Sequence, residues 1–108
     1  MTESAPIPAV LSLAEGVAYA PGSVVSKTLL DKKAGTLTLF AFDTGQGLSE
    51  HTAPYDATVQ VVEREGDFTV GGTVIPVQTG SLLIMPAHVP HSVRARTRFK
   101  MLLIMIRA

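Results

Sequence analysis

The segment Gly80-Ser-Leu-Leu-Ile-Met-Pro-Ala-His-Val-Pro-His91 decides the fold, because it joins an apolar run to a proline turn and a histidine. Residues 82–85 are apolar and predict a strand, and the two prolines within 86–90 end it. The alternating residues 92–95 predict a second strand. Turn residues of this kind recur along the chain at intervals too short for helices of ordinary length.

Working outward from this segment, β-branched or alternating residues fill the gaps between the turns. The segments that predict strands are 24–30, 36–42, 58–63, 67–70, 73–75, 82–85, 92–95 and 99–106. Only residues 9–19 leave room for a short helical turn. Strands at this spacing predict an all-β domain, either a sandwich or a barrel.

The last predicted strand is apolar on both faces. Phe99, Met101, Leu103 and Met105 alternate on one face, and Leu102, Ile104 and Ile106 alternate on the other. An antiparallel strand of this kind needs a cover on each side. We therefore expect a core on one side and, with Val24 and Val25 adding to the outer apolar surface, a homodimer contact on the other.

Composition excludes several classes of protein. The chain has 108 residues, of which 46% are hydrophobic and 17% charged, which predicts one globular domain and excludes charge-driven disorder. Nine basic residues balance nine acidic ones, so the charge gives no support for a nucleic-acid or membrane partner. The absence of cysteine excludes a disulfide scaffold and a thiolate zinc site.

The chain divides simply. Residues 1–8 contain two prolines and small polar residues, which predict a flexible tail, and residues 9–108 predict a single domain. No apolar run is long enough to span a bilayer, and no signal peptide is visible. We therefore expect a cytoplasmic protein.

All three histidines of the chain lie beside turns that adjoin predicted strands. Gly45 precedes His51 by six residues, Gly80 precedes Pro86 by six, and His91 follows Pro86 by five. This spacing resembles the two motifs of the cupin family, whose members are double-stranded antiparallel β-barrels of the jelly-roll type. The resemblance extends over residues 36–106 and implies that fold here.

The two cupin motifs are retained to different degrees. In the second motif His88 stands where the family has glycine, and the other key positions except the final asparagine, here Ala95, are kept. In the first motif Ala53 and Ala57 stand where the family has a second histidine and a glutamate, and Arg64 replaces its closing glycine. Since histidine tolerates positive φ better than most residues, we expect His88 to adopt it.

The resemblance implies a divalent metal bound by three histidines and one glutamate. Only His51 and His91 occupy ligand positions, so the candidate site for zinc, nickel, manganese, iron or copper is incomplete and expected to be weak. Glu50 and Asp56 are out of phase with the lost ligands and could enter the site only at a bulge. The ligand pocket is expected to contain four inward-facing residues, namely His51, Val59, Val61 and His91.

Three functions remain open. The first is a small barrel that binds a small organic ligand, with the imidazoles as hydrogen-bond donors and a weak two-histidine metal site. The second is a metal-dependent enzyme of the oxygenase, isomerase or lyase class, against which the two lost ligand positions count. The third is a structural dimerisation module, against which the retained histidines count. We favour the first, although no reaction can be identified.

A row of basic residues follows His91. Arg94, Arg96, Arg98 and Lys100 alternate with smaller or apolar residues. If His91 faces the interior, this row is expected to face solvent, where it forms either a charged edge that discourages aggregation or an anion-binding rim.

Overall fold

The computed structural model describes residues 8–107, and all of their regular structure is β-strand. The nine strands are Val24–Lys32 (β1), Gly35–Phe42 (β2), Gly47–His51 (β3), Ala57–Glu63 (β4), Glu65–Val70 (β5), Thr73–Gln78 (β6), Leu82–Met85 (β7), His91–Arg94 (β8) and Phe99–Ile106 (β9). Of the predicted tail, residues 1–7 lie outside the described range. Within that range, no helix is long and apolar enough to cross a membrane.

The predicted strands are confirmed, and one was missed. β3 has the sequence Gly-Leu-Ser-Glu-His, which is poor in the β-branched and aromatic residues that favour strands. Its backbone is held by pairing with β8, whose residues are 40 to 47 positions further along the chain than their partners. Residues 9–19, which had room for a short helical turn, contain a simple turn at residues 13–15.

The strands form two antiparallel sheets. Sheet A has five strands in the order β1-β2-β9-β4-β7, and sheet B has four in the order β3-β8-β5-β6. Their inner faces enclose the main core, in which the rings of Phe42 and Phe99 stack with centroids 4.7 Å apart and Phe68 meets Phe99 edge-on. The predicted all-β jelly-roll architecture is confirmed.

The first half of β9, residues 99–102, is buried on both faces. Its inner face contributes Phe99 and Met101 to the core. On its outer face Leu102 packs with Val17, Leu39 and Ala41 in a second buried cluster. The cover for Leu102 is therefore the segment of residues 13–19 of the same chain, not a second subunit.

The basic row is not continuous, because β8 ends at Arg94 and β9 begins only at Phe99. Arg96 is exposed and pairs with Glu65 and Asp67, and Arg98 pairs with Asp43 at 2.8 Å. Lys100 is only 7% exposed, which contradicts the expectation that it faces solvent. The alternation of faces fails across residues 95–98, where the chain leaves one sheet and enters the other.

Lys100 belongs to a partly buried polar group that we call the outer-face cluster, made of Tyr19, Glu63, Lys100 and the carbonyl of Ala14. Lys100 Nζ donates to the Ala14 carbonyl oxygen and lies 3.7 Å from a Glu63 carboxylate oxygen. Tyr19 donates its hydroxyl proton to the same Glu63 oxygen, and its ring lies 4.8 Å from Lys100 Nζ. Burial and this bond raise the pKa of Tyr19 above its ordinary value.

Candidate functional site

A bulge in β3 positions His51. Leu48 pairs with Val93 of β8, whereas His51 pairs with His91, so three steps on β3 match two on β8. The extra residue allows Leu48 and His51 to line the same cavity although they are an odd number of positions apart. Glu50, at the bulge, is exposed and does not line that cavity.

The loop before His91 is tied to the first motif. The amide of His88 donates to the Ala53 carbonyl at 2.8 Å, and the amide of Ala87 donates to an Asp56 carboxylate oxygen at 2.9 Å. Asp56 therefore fixes this loop and is not among the residues that line the cavity. His88 has a φ of 66°, which confirms the expected conformation, and Arg64, at the other lost glycine position, has a φ of 62°.

The two candidate ligands meet across the strands. The Nε2 atoms of His51 and His91 are 3.1 Å apart, and the ring planes are inclined by 71°. His91 is buried with 4% exposure, and His51 is exposed at the mouth of the cavity. The fold thus brings together the two histidines that the motifs singled out.

The other nitrogen of each ring determines where the protons lie. Nδ1 of His51 is 2.7 Å from the Ser49 carbonyl oxygen, and Nδ1 of His91 is 3.2 Å from that of Val89. A carbonyl only accepts, so we assign the proton of each neutral ring to Nδ1. With this assignment both Nε2 atoms are acceptors, whereas the sequence led us to expect a pair of donors.

Protonation does not relieve this contact easily. Burial lowers the pKa of His91 below its ordinary value, and the neighbouring ring of His51 acts in the same direction. His91 therefore favours the neutral form at neutral pH, and its Nε2 atom lies 3.1 Å from the Nε2 atom of His51. Such an arrangement favours a hydrogen-bond donor or a metal ion between the nitrogens.

The imidazoles form one end of a cavity of about 180 Å³ whose remaining lining is apolar. It is lined by Leu48, His51, Ala53, Ala57, Met85, His91, Val93, Met101, Leu103 and Met105. Val59 and Val61, expected in the pocket, are instead completely buried in the core beyond it and do not line the cavity. They share the inward phase of Ala57 on β4 but lie further along the strand.

Methionine is concentrated at this cavity. Three of the four methionines in the chain line it, at positions 85, 101 and 105. Met85 on β7 and Met105 on β9 are both cross-strand partners of Ala57, one on each side. Met85 and Met105 were not predicted as site residues, although alternation along 99–106 already placed Met105 on the same face as Phe99.

Among residues 8–107, no group of three or more His, Cys, Asp or Glu side chains is placed to hold a metal ion. Ala53 and Ala57 line the cavity at the two lost ligand positions and offer no donor atoms. The residues present therefore do not fit the ligand set that the resemblance implies.

Comparisons with known proteins agree with this architecture. The family model described as cupin domain matches residues 38–107. A conserved Streptococcus pyogenes protein of unknown function is 30% identical, with a TM-score of 0.87 over 92% of this chain and 87% of that one. A cupin 2 conserved barrel domain protein from Leptotrichia buccalis is 40% identical, with a TM-score of 0.84 over 87% of this chain and 46% of that one.

A cupin superfamily protein from Desulfitobacterium hafniense is 28% identical, with a TM-score of 0.86 over 94% of this chain and 93% of that one. The comparison with curated proteins gave no match.

Proposed function

The chain belongs to the cupin family, and we propose that its cavity binds a small, mostly apolar organic molecule that carries a hydroxyl or amino group. The observation behind this proposal is the pair of Nε2 acceptors, 3.1 Å apart, at one end of an apolar cavity. An apolar pocket with a few convergent polar groups is the usual form of a small-molecule site.

The size of the cavity limits the ligand. Its volume of about 180 Å³ slightly exceeds that of a ~150 Å³ apolar cavity known to hold benzene. A single ring, or a carbon chain of similar volume, therefore fits. Larger ligands would have to extend through the mouth, where His51 is exposed.

The imidazoles determine which polar group the ligand carries. Since both Nε2 atoms accept, they favour a hydroxyl or amino donor and disfavour a carboxylate. A donor placed between the rings would supply the proton that their mutual contact lacks. A hydroxyl has one proton and donates to one ring, whereas an amino group can donate to both. Each such bond is worth about 1 kcal/mol, which corresponds to roughly fivefold in affinity.

Calorimetric titration of metal-free protein with phenol, benzene and benzoate tests this proposal. We expect phenol to bind more tightly than benzene and benzoate not to bind. In a His51→Leu/His91→Leu variant, phenol should bind no better than benzene. Equal binding of phenol and benzene by the wild type, or a preference for benzoate, would contradict the proposal.

A divalent metal is not part of this function, because its implied ligand set does not fit. The proposal needs only the two acceptors and the apolar lining. Removal of divalent ions by a chelator should therefore leave phenol binding unchanged.

We also propose that the chain forms a homodimer through the part of sheet A that residues 13–19 leave uncovered. Leu82, Ile84 and Ile106 are each more than half exposed there, and Leu30 is 49% exposed. Exposed apolar residues at this density are typical of association surfaces. Of the residues first expected in the contact, Val24 packs on the main core and Val25 on the second cluster.

Light scattering at micromolar concentration tests the homodimer. The wild type should give twice the mass of the chain, and Ile84→Lys/Ile106→Lys should give the mass of a single chain. Wild-type protein that scatters as a single chain would refute the dimer.

A further inference from the structure

We propose that the cavity binds a monovalent copper ion through the imidazoles of His51 and His91 and the thioethers of Met85 and Met105. This inference goes beyond the proposed function, because it concerns a metal ion and does not depend on the organic ligand. It starts from a difference in ligand chemistry. The cupin resemblance implies three histidines and a glutamate, whereas this cavity offers two histidines and methionine thioethers.

The imidazole pair has the geometry of two ligands of one ion. Two nitrogens bound at ~2.05 Å to a tetrahedral metal lie about 3.3 Å apart, close to the 3.1 Å between these Nε2 atoms. Each ring also donates its Nδ1 proton to a backbone carbonyl, which is the usual support of a metal-binding histidine. A cation between the rings would bind both lone pairs that now face each other.

The methionines lie where the family's carboxylate is missing. Ala57 is the central residue of a cross-strand row, with Met85 on one side and Met105 on the other. Side chains of such partners point to the same face, and both methionines line the cavity that contains the imidazoles. The lost glutamate is thus replaced, on the two neighbouring strands, by two sulfur donors.

Softness and charge both favour monovalent copper. Thioether sulfur selects Cu⁺ over Zn²⁺ or Mn²⁺. All four donors are neutral, so nothing in the ligand set offsets the charge of the ion within an apolar cavity. The cost of burying an ion rises with the square of its charge, which makes a divalent ion about four times as costly as a monovalent one.

Competition with a colorimetric Cu⁺ chelator, under reducing and oxygen-free conditions, measures the affinity. We expect one Cu⁺ per chain, bound more tightly than Zn²⁺ or Mn²⁺. Met85→Leu/Met105→Leu should weaken Cu⁺ binding by at least about tenfold, since loss of even supporting residues costs that much. This exchange conserves volume, so packing should be maintained.

Leu102→Met is the matched control. It is the reverse of the same exchange at a buried residue of β9 that packs in the second cluster and does not line the cavity. It should leave the Cu⁺ affinity unchanged.

X-ray absorption of the copper-loaded wild type provides a test that requires no variant, and it should show both nitrogen and sulfur neighbours. A shell without sulfur, tighter binding of Zn²⁺ than of Cu⁺, or full Cu⁺ affinity in Met85→Leu/Met105→Leu would overturn the proposal. Phenol binding to metal-free protein is a separate measurement, so the copper site and the organic-ligand site can fail independently.

Discussion

His51 faces His91 across sheet B, and Glu63 faces Lys100 across sheet A, each pair beside a register shift in its strands. In both places a bulge sets two polar side chains opposite each other. One member of each pair is buried, since His91 is 4% and Lys100 is 7% exposed. The two regions are therefore built in the same way.

They differ in how their polar atoms are satisfied. In the outer-face cluster the cation of Lys100 meets the anion of Glu63, and the hydroxyl of Tyr19 and the carbonyl of Ala14 complete the bonding. In the imidazole pair two acceptors face each other, because both ring protons lie on the opposite nitrogens.

The difference separates a structural cluster from a binding site. The polar groups of the outer-face cluster bind one another, and their role is to hold residues 13–19 on sheet A. An open pair of acceptors lowers stability and becomes favourable only when something binds. Substitutions in the two regions should therefore change the free energy of unfolding in opposite directions.

The largest effect is expected in the outer-face cluster. Lys100→Met should lower the free energy of unfolding by about 2 kcal/mol, because it leaves the Ala14 carbonyl without its donor and the Glu63 carboxylate, which is 35% exposed, without its cation. Urea denaturation measures the change. Lys27→Met, at an exposed position of β1, is the control and should stay within about 0.5 kcal/mol of the wild type. A loss below about 1 kcal/mol for Lys100→Met would show that the cluster is not structural.

Tyr19→Phe should have a smaller effect of the same sign, about 1.5 kcal/mol at pH 7, because it removes one hydrogen bond to a carboxylate. The folded pKa of Tyr19 is raised above 10.0. The unfolded chain therefore loses this proton first, and the contribution is complete below pH 10 and lost above it. The deficit of the variant should shrink as the pH rises beyond 10, and a deficit that grows would contradict this assignment.

The imidazole pair should respond with the opposite sign. His51→Leu/His91→Leu removes two facing acceptors and adds apolar contacts, so we expect the free energy of unfolding to rise by about 1 kcal/mol while ligand binding is lost. Thermal and urea unfolding, measured beside the phenol titration, test both parts. A loss of stability larger than about 1 kcal/mol would mean that the pair is a closed structural contact like the other one.

The smallest effects are expected at the two turns with positive φ, one next to each region. Arg64 follows Glu63, and His88 lies in the loop before His91. Arg64→Gly and His88→Gly should each be neutral or stabilising by up to ~1 kcal/mol. Gly22→Ala is the converse control. Gly22 has a φ of 64°, and a Cβ added there would meet no atom within 4 Å, so the substitution penalises only the backbone conformation. A loss above about 2 kcal/mol at His88 would mean that its side chain has a partner.

The sequence predicted most of the fold because alternation is a local property. Alternating residues and short apolar runs identified eight of the nine strands, including β9 with its two apolar faces. The residue spacing around Gly45 and His51 and around Gly80, Pro86 and His91 led to the family and to the two histidines that the fold brings together. Only β3 was not predicted, since its extended backbone is held by pairing with β8 and is not favoured by its own amino-acid composition.

What only the tertiary structure decided is how distant strands register against one another. The bulges that place His51 opposite His91 and Glu63 opposite Lys100 depend on pairing between segments far apart in sequence. The same is true of the burial of Lys100 beneath residues 13–19 and of the two methionines beside Ala57. Side-chain alternation shows which residues share a face of one strand, but cross-strand contacts arise from long-range packing that no local pattern encodes.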